Sequence, residues 1–89
     1  MYQRLESSLE RRCVALAKLY NCLFVKIQGT KGWPDRLLLT PGGVYIWVEL
    51  KRLGEQPTKL QLYIHSLIRK RGGRVEVIDQ VLDFESLLP

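Results

Sequence analysis

At 89 residues the chain is one domain, 1–89, large enough to bury a core and small enough that a second copy would add useful buried surface. Hydrophobic residues make up 46%, too many for a disordered chain, and no apolar run approaches the ~20 residues of a membrane span. Fourteen basic against nine acidic residues leave a charge of +5, which favours an anionic partner, nucleic acid above all.

The N-terminus, Met1-Tyr2-Gln3-Arg4-Leu5-Glu6, has no apolar signal core, so the sequence predicts an intracellular, cytoplasmic protein. From Glu6 to Tyr20 the spacing predicts an amphipathic helix, with Leu5, Leu9, Cys13, Leu16 and Tyr20 recurring every three or four residues and Asn21 as its stop. Cys13 and Cys22 are too far apart for a CxxC pair and read as reduced, buried thiols. Cys22 to Gln28 alternates as a half-buried strand, with Leu23, Val25 and Ile27 on one face and Phe24, Lys26 and Gln28 on the other. A glycine-flanked loop, Gly29-Thr30-Lys31-Gly32, leads through Trp33-Pro34 to a leucine-rich strand from Asp35 to Thr40.

Pro41-Gly42-Gly43 is a turn between two apolar runs, so this strand and Val44–Val48 form a hairpin. A polar loop, Arg52 to Pro57, precedes a second helix from Thr58 to Arg71 that stops at Gly72-Gly73, with Leu60, Ile64, Leu67 and Ile68 as its buried stripe. Val75, Val77 and Ile78 make a fourth strand, and Val81 to Leu88 a short closing helix over Phe84 and Leu87. The order is α-β-β-β-α-β-α, an α/β sandwich around a small mixed sheet, with a crossover that sets the fourth strand parallel to the third.

Chemistry concentrates at one end of the hairpin. Glu49 and Lys51 are two apart at the end of Val44-Tyr45-Ile46-Trp47-Val48, so they share a face, and the turn brings Asp35 to the same end. Carboxylates there can hold Mg²⁺, the Leu50 carbonyl can add an oxygen, and a lysine alongside can position water for phosphodiester hydrolysis. The bland alternatives are a turn cap for Asp35 and an exposed cross-strand charge pair for Glu49 and Lys51. Lys26, Lys31, Arg36, Arg52 and Lys59 surround this end in sequence as candidate phosphate contacts. Arg69, Lys70, Arg71 and Arg74 close the second helix, where cations favour its dipole. His65 lacks a Cys or His partner at ligand spacing and reads as a surface or interface residue.

Pro34-Asp35 followed by Glu49-Leu50-Lys51 resembles the PD-(D/E)xK nuclease pattern. Gly32-Trp33-Pro34-Asp35-Arg36-Leu37, Pro41-Gly42-Gly43, Trp47-Val48-Glu49-Leu50-Lys51-Arg52, Pro57-Thr58-Lys59-Leu60-Gln61 and Gly72-Gly73-Arg74-Val75 follow in order. Together they resemble the VRR-NUC family, the virus-type replication-repair nucleases, over nearly the whole chain. The resemblance implies a minimal restriction-endonuclease-like core and Mg²⁺- or Mn²⁺-dependent cleavage of DNA, with no organic cofactor. It also implies a dimer acting on branched DNA such as Holliday junctions, as the stand-alone phage and bacterial members do, in replication, recombination or repair. An acid on the first helix adds a metal ligand in that family; Glu10 fits best here and Glu6 is the fallback, the bland reading being solvated helix surface. The family glutamine falls on Gln61, which also has capping-box spacing from Thr58, so an active-site role and a helix cap both stand. Trp33 fills a position that often holds a smaller residue. The rival classes are a DNA-binding module without turnover and an accessory subunit of a replication or repair complex.

Overall fold

The computed structural model describes residues 7–89. The first helix, α1, runs Ser8–Leu19 and is capped by the Ser7 hydroxyl, which accepts from the Glu10 amide at 3.1 Å. The predicted start at Glu6 lies outside the described residues. Asn21 ends the helix in the left-handed region, φ 59°, a conformation asparagine tolerates, and the Cys22 and Asn21 amides close onto the carbonyls of Ala17 and Lys18.

Four strands follow as one sheet in the order β1-β2-β3-β4: β1 Leu23–Lys26, β2 Arg36–Leu39, β3 Tyr45–Leu50 and β4 Val75–Ile78. The β1–β2 and β2–β3 pairings are antiparallel, and β4 is parallel to β3, as predicted. The β2–β3 connection is tight: the Gly43 amide bonds to the Thr40 carbonyl at 2.9 Å across Pro41-Gly42, and Gly43 takes φ 84°. Helix α2, Lys59–Lys70, crosses between β3 and β4, and α3, Val81–Glu85, closes the chain. The element order is the predicted α-β-β-β-α-β-α.

The sheet separates two apolar clusters. On one face Leu38, Ile46, Val48 and Ile78 pack with Cys13 and Ala17 of α1 and Phe84 of α3. On the other, Trp47 and Val75 pack with Ile64 and Ile68 of α2, and Trp33 meets Trp47 edge-on at 5.5 Å between ring centroids. Cys13 and Cys22 are both buried and unpaired, in agreement with the sequence reading.

The inward face of β1, left open by the sequence, is settled by packing, and the stripe of α2 differs from expectation. In β1 the inward residue is Phe24, whose ring lies 5.1 Å from that of Phe84, whereas Leu23 and Val25 are 61% and 50% exposed. Alternation shows that a strand has two faces; the packing partner decides which one turns in, and here α3 supplies it. In α2, Leu60 is exposed at the first turn and His65 is buried instead. Among the described residues no helix is long and apolar enough to cross a membrane.

Candidate active site

Arg36 pairs with Val48 across the hairpin, and one further step of that register sets Asp35 opposite Glu49. The ladder with β1 also continues past its assigned end, through the Ile27 amide to the Asp35 carbonyl at 2.9 Å. The Asp35 side chain then turns along the sheet, its Oδ2 accepting from the Leu50 amide at 2.8 Å. Asp35 and Glu49 therefore project together, close enough for the Asp35 charge to act on the Glu49 carboxyl. Both line an open cleft of about 1150 Å³ with Leu50, Lys51, Gln61 and Glu10.

Glu49 is the unusual group. It is 1% exposed, which is costly for a carboxylate without a paired cation or hydrogen bonds. Burial, and next the adjacent Asp35 charge, push its pKa up to about 8 from 4.5; Lys51 opposes this and Glu55 adds to it. Both Glu49 oxygens also have partners from one face of α2. Gln61 Nε2 donates to Oε2 at 3.1 Å, and His65 Nε2 lies 3.4 Å from Oε1.

Gln61 caps its helix and also reaches into the cleft. Its Oε1 accepts from the Thr58 amide at 2.9 Å and the Thr58 hydroxyl accepts from its own amide at 3.1 Å, a complete capping box, while its amide nitrogen reaches Glu49. His65, read from sequence as a surface or interface histidine, is 1% exposed and lies against Glu49. Its pKa is lowered by burial, then by the charges of Arg69 and Lys51. The signal was present: His65 is four residues from Gln61 and so shares its helix face. Glu55, on the loop after β3, also lines the cleft and was not singled out.

The basic candidates divide. Lys26 and Arg52 line the cleft; Lys31 and Lys59 are exposed beyond its lining. Arg36 is turned inward, 7% exposed, with Nε donating to Glu10 Oε2 at 2.8 Å, one terminal nitrogen to the Phe24 carbonyl at 2.9 Å, and the guanidinium over the Phe24 ring. The parity of β2 explains this: Arg36 falls on the α1 side, opposite to Asp35. Glu10 thus stands on the cleft wall in an ion pair, and Glu6 lies outside the described residues. Among the described residues no group of three His, Cys, Asp or Glu side chains is placed to hold a metal ion together.

The chain is similar over most of its length to a protein named "Putative nuclease p44" of Acyrthosiphon pisum secondary endosymbiont phage 1. The two are 37% identical over 86 residues, 94% of this chain and 91% of that one. It is similar as well to a solved structure described as a VRR_NUC domain, with a TM-score of 0.77 and 28% identity over 89% of this chain and 88% of the other. No family model matches the sequence.

Proposed function

The chain belongs to the VRR-NUC nucleases, the virus-type replication-repair branch of the PD-(D/E)xK group, and from that membership we propose an Mg²⁺- or Mn²⁺-dependent DNA endonuclease acting on branched DNA of Holliday-junction type. The observation that carries this reading is the Asp35–Glu49 pair. Two adjoining carboxyls, one of them buried and pushed up to about 8, favour taking positive charge between them, as a proton or as a divalent ion.

The donor set fits a hard cation. Mg²⁺ is held by one or two carboxylates with waters and substrate phosphate rather than by an all-protein cage, which suits a site with two acids in contact. Asp35 and Glu49 would hold it, with the Leu50 carbonyl and Glu10 as further oxygens. The Arg36 contact to Glu10 then serves as the outer hydrogen bond that orients a ligand, in place of the phosphate contact expected from sequence. When bound, the ion neutralises phosphate charge and acidifies water.

The chain's own groups do the rest. Lys51 positions the attacking water and offsets charge on the phosphate. The water oxygen bonds to phosphorus as the ester P–O bond breaks, and the departing oxygen takes up a proton. Gln61 keeps the Glu49 carboxyl facing the cleft. Lys26 and Arg52, on the cleft lining, draw the DNA backbone in.

Two symmetric sites in a homodimer suit a substrate with two strands to cut. The uncovered half of the α2-side face supports that assembly. Leu23, Leu39 and Tyr45 align across three strands there, and Leu23 and Tyr45 are exposed.

Labelled junction, flap and linear DNAs, incubated with Mg²⁺, Mn²⁺ or EDTA, test the reading. Cleavage of the branched substrates is expected, lost in EDTA and in both Asp35→Asn and Lys51→Ala. Cleavage that survives both substitutions removes the assignment.

A further inference from the structure

His65 is the one buried polar side chain of α2 that the reaction above does not use. Its neighbours on the helix stripe are Ile64 and Ile68, both buried, so an aliphatic residue would satisfy the packing without burying a polar ring. The ring instead meets Glu49, and it does so in concert with Gln61, one turn earlier on the same helix face.

Hydrogen-bond direction can be assigned at both contacts. The Thr58 amide donates to Gln61 Oε1, so the nitrogen end of that side chain is the one that faces Glu49 Oε2. Once ionised to hold a cation, Glu49 offers only acceptor oxygens, and in that state His65 bonds Oε1 through a proton on Nε2. One donor on each oxygen fixes both the tilt and the rotation of the carboxyl plane. A second lone pair remains on each oxygen.

We propose that His65 is a positioning residue whose Nε2–H, paired with the Gln61 amide, sets the orientation in which Glu49 presents its carboxylate to a divalent ion. The inference rests on the reading of Asp35 and Glu49 as the ion-binding pair. His65 touches neither the ion nor DNA; it acts through Glu49.

The test is calorimetric titration of Mn²⁺ alone into the protein, without DNA, for wild type and for His65→Gln, His65→Asn and His65→Leu. Glutamine can place an N–H where Nε2 stood, whereas asparagine places its own where Nδ1 stood. Mn²⁺ affinity should fall by about tenfold or more in the asparagine and leucine variants, the size of effect typical of outer-shell partners, and recover in the glutamine variant. Equal affinity in all four proteins overturns the proposal, as does a glutamine variant no better than the asparagine one. If His65→Leu fails to fold, the comparison of glutamine with asparagine decides alone. Wild-type protein that takes up no Mn²⁺ at millimolar concentration overturns the ion-binding reading itself, and this proposal with it.

Discussion

Replacing Glu49 with glutamine should stabilise the protein while abolishing cleavage. The folded protein holds the Glu49 proton up to about 8, against 4.5 for an ordinary glutamate. A carboxyl raised in this way contributes stability that is fully present below pH 4.5 and lost as pH climbs toward 8. At roughly 1.4 kcal/mol per pH unit across that window, the wild-type protein at pH 7 has given up about 3 kcal/mol. Glutamine has no proton to lose. Its amide nitrogen takes the place of one carboxyl oxygen, however, and leaves either Gln61 or His65 without an acceptor, at a cost of about 1 kcal/mol. The net gain of Glu49→Gln at pH 7 is then about 2 kcal/mol, equivalent to about 10 °C in Tm for a domain of this size. Thermal melts of both proteins followed by circular dichroism in EDTA, from pH 4.5 to 8.5, provide the measurement. The variant should lie about 1 kcal/mol below wild type at the acid end, and the curves should cross at about pH 5 and then separate as pH rises. A difference that stays flat across the range, or a wild type that gains on the variant toward pH 8, refutes the reasoning.

Gly32→Ala should cost about 2 kcal/mol in urea unfolding, because Gly32 sits at φ 84° and an added Cβ would lie 2.6 Å from Leu60 Cγ. Arg36→Lys keeps the charge but loses the fork that joins Glu10 to the Phe24 carbonyl. Stability should fall by about 2 kcal/mol, while the salt dependence of DNA binding measured by fluorescence anisotropy stays unchanged. Lys26→Ala should instead lower the slope of log affinity against log salt by about 1. Val25→Lys places a charge on the uncovered sheet face and should shift sedimentation equilibrium from dimer to monomer; an unchanged mass argues for another interface.

Much of the site could be read in the chain because it depends on local rules. A three-residue turn determines which residues face each other in a hairpin, so Asp35 and Glu49 could be paired by counting outward from Pro41-Gly42-Gly43. Parity along a strand likewise put Glu49 and Lys51 together. What escaped depended on a partner distant in sequence. Phe24 turns inward because Phe84, sixty residues later, completes its pocket. Arg36 leaves the DNA-facing set because α1 brings Glu10 to it. His65 looked like a lone polar residue on an apolar helix, and only the arrival of β3 beneath α2 gives it a carboxyl to bind. Glu10 could be placed on the correct wall but not in contact with the other two acids, since helix-to-sheet distance is not encoded in spacing.

Gln61 has a consequence for how the protein could be watched at work. Its side chain links the first turn of α2 to the Glu49 carboxyl, so fraying of that turn and loosening of the acid pair are one event. The Thr58 backbone hydrogen, bonded to that side chain, should therefore exchange with deuterium more slowly once the cleft is loaded, and a single amide resonance would report occupancy without any substrate being cut.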